Sequence, residues 1–332
     1  MDNPRRSAAP LGAADPLSGG GGHQPAAAVN GAAAKKRDPL KRKGPSVLST
    51  EQLLGIMNAF TRLGGKQINV TAHPEINAIL RGIDKRNTRV VLNSNVLLAQ
   101  RLLKEPKIDN VDAIYASLHT TSPQDFREKL GTAASAARSV MDNMVLLKRH
   151  GYRVQINYSL GDYNKAEFAR VLDFAVAQGI DLKAIALIRP NDDPQFYGGE
   201  WINPQWVERV VDEQHGLRRV AQREGFGGRT TTWQQQQQGG QGAMTVEIKN
   251  VATGRLITDY CKGCRYVKQC GEGIYALRSG VDGLWKPCLL NQDKFARIEG
   301  EEQRSYRDQI LHHIHSMVGD WSKAQFSTGA PM

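Results

Sequence analysis

The hydrophobic pattern of this 332-residue chain changes at residue 49 and again near residue 190. The first 48 residues show no apolar periodicity, whereas the next stretch alternates short apolar runs of strand length with longer segments of helical character. This alternation predicts an α/β fold built from strand–helix–strand units. The expected sheet is parallel, either closed as a barrel or doubly wound.

The pattern predicts five strands before residue 190, with helical segments between them. The predicted strands cover residues 67–71, 89–92, 113–118, 152–160 and 182–188. The first predicted helix runs from a cap at Ser49-Thr50 to Gly64-Gly65, and a second begins near Pro74. The other predicted helices cover 96–103, 123–129, 133–150 and 165–178. Since most of these helices could serve as crossovers, neighbouring strands are expected to pair in parallel.

After residue 190 the pattern becomes less regular. A helix is predicted over 203–214, a hairpin over 244–249 and 255–258 with its turn at Thr253-Gly254, and a closing helix over 301–318. We therefore divide the chain into segments by composition and pattern. They are a tail (1–48), a barrel-like domain (49–216), a flexible loop rich in Gln and Gly (217–243), a small appendage (244–320) and a second tail (321–332).

Composition and charge indicate a globular protein with a basic N-terminal tail. The chain is 40% hydrophobic and 23% charged, and its formal net charge is +11. The first 48 residues hold eight basic and three acidic side chains, and we interpret them as a disordered linker. Nucleic-acid binding is disfavoured because no aromatic residues are interleaved for stacking. Asp2 and Asp15 weaken an organellar presequence, and no apolar run is of membrane-spanning length, so a cytoplasmic location is expected.

All four cysteines of the chain fall within 28 positions and are spaced C-x2-C-x5-C-x17-C. They are Cys261, Cys264, Cys270 and Cys288. Disulfides are disfavoured because the chain shows no signal peptide and is long enough to bury a core without covalent links. The spacing leaves both a zinc site and a cysteine-ligated iron–sulfur cluster open, with zinc ahead.

Several segments together resemble radical S-adenosylmethionine (SAM) enzymes of the MoaA-like group. In chain order they read LNSNVLL at 92–98, ASLHTTSPQDFR at 116–127, VQIN at 154–157 and LIRP at 187–190. The cysteine-containing run from Cys270 to Leu290 is similar to the auxiliary-cluster appendage of such enzymes. The resemblance covers residues 50–318 and is carried by the order and spacing of the segments.

The resemblance implies a partial (β/α)6 TIM-like barrel whose C-terminal appendage binds an auxiliary [4Fe–4S] cluster through the four cysteines. It therefore moves their interpretation from zinc to iron–sulfur. It also implies four cofactor-facing residues at strand carboxyl ends, where α/β barrels place ligand groups. These are Asn93, Ser117, Asn157 and Arg189. The alternative role for such side chains is to cap helices or close turns.

Two departures from the family pattern affect the expected activity. No cysteines remain for the family's C-x3-C-x2-C loop, and residues 70–75 read VTAHPE where the family has a Gly-Gly-Glu-Pro loop. We therefore expect that the sequence as given does not cleave SAM, and binding of SAM is itself in doubt. We interpret it as an incomplete copy of an enzyme that abstracts hydrogen from a small-molecule or peptide substrate.

Two alternative functions follow from the same residues. The chain could be a non-catalytic iron–sulfur protein in electron transfer, or a zinc-stabilised binding module whose basic tail contacts nucleic acid. An active enzyme would need an electron donor of the reductase, ferredoxin or flavodoxin type. Histidines add little: His119 is expected to fill a loop rather than a pocket, and His312 and His315 to lie on a polar helix surface.

Overall fold

The computed structural model describes residues 48–71, 73–188, 199–213, 216–225, 227–235, 244–267, 270, 272–290 and 296–327. All of these lie in one compact unit, Pro45–Met332. Most of the predicted basic tail and the candidate residue Arg189 fall outside the described residues. In the described part of the chain, no helix has the length and apolar character needed to cross a membrane.

The described elements follow one another in the alternating order that the sequence predicts. The helices are α1 (Thr50–Arg62), α2 (Ile76–Gly82), α3 (Gln100–Leu103), α4 (Pro123–Glu128), α5 (Ala136–Arg149), α6 (Phe168–Gln178), α7 (Pro204–Asp212) and α8 (Tyr306–Val318). The strands are β1 (Gln67–Val70), β2 (Arg89–Ser94), β3 (Ala113–Ser117), β4 (Val154–Leu160), β5 (Asp181–Ala186), β6 (Leu217–Gly225), β7 (Gly228–Gln235), β8 (Thr245–Asn250), β9 (Arg255–Ile257), β10 (Leu284–Trp285), β11 (Ala296–Arg297) and β12 (Gln325–Ser327).

Eight strands form the main sheet in the order β1-β2-β3-β4-β5-β8-β7-β6. Strands β1 to β5 and β8 pair in parallel, and β7 and β6 extend the sheet in antiparallel pairing. The parallel strands lie in sequence order with no reversal, as in a barrel, whereas a doubly wound sheet reverses its strand order. The fold confirms the predicted α/β class and partial TIM-like barrel.

The sheet has one apolar face and one largely polar face because side chains alternate along each strand. On the apolar face, residues such as Ile156, Leu182 and Val246 are fully buried and belong to the main core. The helices α5 and α6 bury residues of the same core, including Met144 and Phe168. The opposite face carries mostly polar and charged side chains, and it forms the surface on which the candidate residues lie.

The loop predicted over 217–243 is wrong for its first part, where the structure forms β6 and β7. Strand β7 pairs with β8 and buries Trp233 completely. The Trp233 Nε1 donates a hydrogen bond to the Asp212 Oδ1 at 2.7 Å. The sequence prediction weighted glycine and glutamine and overlooked three threonines, which favour strands because they are β-branched. Residues 236–243 lie outside the described part.

The predicted hairpin of 244–249 and 255–258 is also wrong. Strand β8 pairs with β5 and β7 in the main sheet, and β9 pairs instead with β12. Val246 and Ile248 continue the buried apolar face of the sheet, which explains why β8 joins it. Because β12 (Gln325–Ser327) pairs with β9, the segment predicted as a C-terminal tail contributes a strand to the appendage.

The helix predicted over 96–103 is shortened to α3. Ser94 Oγ and Asn95 Oδ1 accept hydrogen bonds from the backbone N–H groups of Val96 and Leu97. Val96 itself has a left-handed φ of 50°. Short polar side chains that bond the local backbone compete with helix formation, so the helix begins only at Gln100. By contrast, the predicted cap of α1 is confirmed, since Ser49 and Gln52 form a reciprocal capping box.

Candidate functional site

Three of the predicted cofactor-facing residues lie together on the polar face of the sheet. Ser117 of β3 and Asn157 of β4 are directly paired across the ladder. Asn93 of β2 pairs with Tyr115, two residues before Ser117, and therefore lies diagonally beside it on the same face. All three are neither fully buried nor fully exposed. The strands thus place these side chains near one edge of the open face.

Strand β4 holds two buried acceptors on the polar face that have no hydrogen-bond partner among the described residues. These are the Oε1 of Gln155 and the Oδ1 of Asn157. A buried polar atom without a partner costs free energy, and a bound ligand or water can relieve this cost. The geometry therefore fits a polar ligand on this face of the sheet.

His119 follows β3 but acts as a packing residue in the structure. Its Nδ1 accepts a hydrogen bond from the Ser159 N–H at 3.1 Å, and its ring lies 6.3 Å from that of Tyr158 in an edge orientation. Burial lowers the pKa of His119, so the ring is neutral near pH 7. His312 and His315 are both exposed, as the sequence predicts.

The first two cysteines are brought together by a tight turn. Cys261 ends a 3-10 turn (Asp259–Cys261), and its carbonyl accepts a hydrogen bond from the Cys264 N–H at 3.1 Å. Gly263 between them has a φ of 70°, a left-handed conformation that glycine adopts without steric cost. The C-x2-C spacing therefore presents both thiols on one side of a single turn.

The other two cysteines lie on loops that a buried ion pair connects. Glu272, whose side chain is 0% exposed, pairs with Arg278, and its backbone N–H donates to the Cys270 Sγ at 3.4 Å. Arg278 also donates to the carbonyl of Pro287 at 3.1 Å, one residue before Cys288. The arginine thus joins the loop that carries Cys270 to the loop that carries Cys288. Sequence reasoning missed this pair, because nothing in its spacing marks the two residues as partners.

Close backbone packing holds the same region against β9. The Ile274 N–H donates to the Leu256 carbonyl at 3.0 Å. Gly273 has a φ of 70°, and a Cβ there would lie 3.0 Å from the Leu256 backbone nitrogen. Only glycine permits both this conformation and this close approach without a shift in the neighbouring chain. Strand β9 therefore fixes the position of the segment between Cys270 and Cys288.

All four cysteines line one pocket whose remaining lining is mainly apolar. Burial raises the pKa of the Cys261 thiol, and the three other thiols raise it further while a hydrogen bond to Thr258 opposes them. However, no three His, Cys, Asp or Glu side chains of the described chain form a metal-ligating group. The donor type and shared pocket fit a cysteine-ligated centre, and the assignment of the four as ligands stays a prediction.

Comparisons with known proteins give low similarity over about half of the chain. No family model matches it. The crystal structure of Streptococcus suis SuiB bound to S-adenosylmethionine matches with a TM-score of 0.43 and 12% identity, over 52% of this chain and 41% of that chain. The structure of TYW1 with a lysine-pyruvate adduct bound has a TM-score of 0.37 and 13% identity, over 52% of this chain and 61% of that one.

The sequence comparison finds a relative among characterised proteins. The PqqA peptide cyclase of Granulibacter bethesdensis is 26% identical over 172 residues, which are 49% of this chain and 43% of the relative. The chain therefore spans less than half of that protein's length. PqqA peptide cyclase is a radical SAM enzyme. At the level of the superfamily, the chain is related to the radical SAM enzymes, which confirms the resemblance noted from the sequence.

Proposed function

We propose that this chain is an iron–sulfur protein of the radical SAM type, with a [4Fe–4S] cluster held by Cys261, Cys264, Cys270 and Cys288. The observation that carries the proposal is the convergence of all four cysteines on one pocket. Four thiolates would saturate such a cluster, which would supply one-electron redox chemistry when bound. The chain's own contribution is to position the thiols and to exclude water with the surrounding apolar side chains.

The second part of the proposal assigns the polar face of the sheet to SAM or a related polar ligand. The paired Ser117 and Asn157, with Asn93 beside them, support it, and so does the partnerless Oδ1 of Asn157. We keep Arg189 as a fourth candidate from its sequence position alone. In this assignment, the side chains orient the ligand at the carboxyl ends of the strands, where barrels bind their substrates.

The chemistry proposed for the family is reductive cleavage of SAM followed by hydrogen abstraction from a small molecule or peptide. The sequence as given, whose four cysteines are all used by the proposed cluster, is not expected to cleave SAM by itself. The name of the relative, a peptide cyclase, favours a peptide substrate. An electron donor of the reductase, ferredoxin or flavodoxin type is the proposed partner. A MoaA-like subgroup remains a prediction. The alternatives are a non-catalytic electron-transfer protein and a zinc-stabilised binding module.

Metal analysis after anaerobic reconstitution with iron and sulfide tests the proposal. We expect iron and sulfide to bind in place of zinc, and a Cys264→Ser variant to bind less of both because one ligand is lost. A Ser316→Ala variant is the matched control, since Ser316 is exposed on α8 and its hydroxyl donates to the helix carbonyls of His312 and His313. A colourless protein that retains one zinc would contradict the iron–sulfur assignment.

Incubation of the reconstituted full chain with SAM and a strong reductant separates the catalytic and non-catalytic versions of the proposal. Deoxyadenosine above the background of a protein-free control would contradict the expectation that the sequence as given does not cleave SAM, and would support an active enzyme. An iron–sulfur protein that forms none agrees with that expectation and is compatible with electron transfer. In either case, equilibrium binding of SAM is measured for the wild type and for Asn157→Ala. Weaker binding by the variant would support the assignment of the polar face to SAM.

A further inference from the structure

Lys249 lies near the carboxyl end of β8, the sixth parallel strand of the sheet. It is paired with Ile185 of β5, and it alternates with the buried Ile248. Its side chain therefore extends from the polar face, the same face that carries Ser117 and Asn157. This position is typical of ligand-binding residues in α/β barrels, although sequence analysis did not single it out.

The acidic groups around Lys249 are already engaged by other cations. Glu247 forms ion pairs with Lys183 at 3.2 Å and with Arg223 at 3.3 Å. Glu272 pairs with Arg278 through its Oε1, while its buried Oε2 has no hydrogen-bond partner among the described residues. Lys249 forms no ion pair with a carboxylate of the described residues.

This cluster holds four cations and two carboxylates, an excess of two positive charges. The four cations are Lys183, Arg223, Lys249 and Arg278. An excess of like charge in a partly enclosed site attracts anions.

The ammonium group of Lys249 is held in a defined place. Its Nζ lies 5.2 Å from the centroid of the Tyr275 ring. A Cβ built on Gly227 would be only 2.7 Å from the same Nζ and 3.5 Å from the Tyr275 ring. Burial, reinforced by Lys183, lowers the pKa of Lys249, and the nearby Glu272 carboxylate opposes this. A partly desolvated cation that forms no ion pair among the described residues is unfavourable, and a bound anion would compensate for this.

We propose that Lys249 binds an oxyanion of the substrate, a carboxylate or a phosphate, at the carboxyl end of the sheet. The inference rests on the proposed function, because it assigns the site to that protein's substrate. Tyr275 and Arg278, which flank the lysine, belong to the segment between Cys270 and Cys288. A substrate anchored at Lys249 would therefore lie between the polar face and the loops that carry the cysteines.

Titration of the full chain with acetate and with inorganic phosphate tests this inference. Binding is followed by saturation-transfer difference NMR for acetate and by 31P line broadening for phosphate. We expect saturable binding of one or both anions to the wild type. In Lys249→Met the affinity should fall by about tenfold or more, which corresponds to about 1.4 kcal/mol. Lys104→Met, at an exposed lysine that directly follows α3, should leave the affinity unchanged.

A Gly227→Ala variant tests the position of the ammonium group without removing its charge. The new Cβ must displace the Lys249 Nζ, which is the flexible end of a side chain, so folding should survive and anion affinity should fall. Thermal unfolding of each variant checks the fold. Acetate binding alone identifies a carboxylate site, and phosphate binding alone identifies a phosphate site.

Two results would overturn the inference: no saturable binding of either anion to the wild type, or equal binding by the wild type and Lys249→Met. Unchanged affinity in Gly227→Ala would contradict the geometry assigned to the lysine. The titration needs neither iron nor SAM. A chain that incorporates iron and sulfide but binds no anion would therefore reject this inference and leave the proposed function standing.

Discussion

At the scale of single residues, the ion pair of Glu272 and Arg278 is the contact that most directly organises the cysteine region. The pair is buried on the glutamate side, while Arg278 is 22% exposed. Burial raises the pKa of Glu272, and the nearby positive charges of Arg278 and Lys249 oppose that rise. Because the arginine also bonds the chain beside Cys288, the pair links charge compensation to the spacing of the thiols.

Removal of the arginine should destabilise the protein and loosen the cysteine site. In Arg278→Met, a buried carboxylate loses its partner, and we expect the free energy of unfolding to fall by about 3 kcal/mol. Denaturant titration measures the loss. The double variant Arg278→Met with Glu272→Gln should recover part of it, since no buried charge remains. Equal stability of wild type and Arg278→Met would contradict a structural role for the pair.

His313 should make stability depend on pH in the acidic range. Burial, together with His312 and Arg304, lowers the pKa of His313 from 6.5 to about 4, and its ring lies 5.3 Å from Trp285. The unfolded chain therefore takes up a proton at higher pH than the folded chain. The contribution of neutral His313 to the free energy of unfolding is fully present above about pH 6.5. It is lost as the pH falls towards about 4.

Denaturant titrations at about pH 7 and about pH 5 measure this effect. We expect the wild type to lose more free energy of unfolding between the two pH values than a His313→Gln variant, which cannot take up the proton. His315→Gln, at an exposed position that does not contribute to the pKa shift of His313, is the control and should behave as the wild type. The same pH dependence in all three proteins would show that His313 is not the group responsible.

At the scale of elements, the β6–β7 hairpin is the largest difference between prediction and structure. Its register with β8 extends the main sheet by two antiparallel strands. Two hydrogen bonds connect β7 to helix α7. Thr231 Oγ1 donates to Glu208 Oε1 at 3.2 Å, and Trp233 Nε1 donates to Asp212 Oδ1. Strand β7 is therefore part of the core rather than a surface loop, whereas β6 is exposed beyond Leu217.

Substitution of Trp233 distinguishes a core strand, as in the structure, from the flexible loop predicted from the sequence. Trp233→Ala should lower the free energy of unfolding by about 3–5 kcal/mol, because it leaves a cavity in a fully buried site. Trp233→Phe keeps most of the volume and loses the hydrogen bond to Asp212, so a loss of about 1–2 kcal/mol is expected. A loss below about 0.5 kcal/mol for the alanine variant would favour a flexible loop.

At the scale of the whole molecule, the sequence predicts local patterns better than long-range pairing. The five parallel strands and the cap at Ser49 follow from apolar runs and capping chemistry, both of which are local. The place of β8 in the main sheet depends on contacts with β5, which is about sixty residues away in the chain. The same holds for β9, whose partner β12 is near the C-terminus.

The residues of the candidate site also divide into those that local sequence identifies and those that only the tertiary structure identifies. The cysteines were identifiable because they are few and clustered, and Asn93, Ser117 and Asn157 because the family resemblance implied them; the structure places Asn157 within β4 rather than at its end. Arg278 and Lys249 were missed because their roles depend on neighbours that only the fold brings close. The short-range chemistry of a site can be read from spacing, whereas its charge balance requires the tertiary structure.

The central claim is that the four cysteines hold an iron–sulfur cluster, and Mössbauer spectroscopy of the full chain reconstituted with 57Fe tests it most directly. We expect about four irons per chain, all in tetrahedral sulfur coordination, with the signal lost when Cys261, Cys264, Cys270 and Cys288 are replaced by serine. A spectrum of adventitious iron alone, unchanged by those substitutions, would show that the four cysteines hold no such cluster.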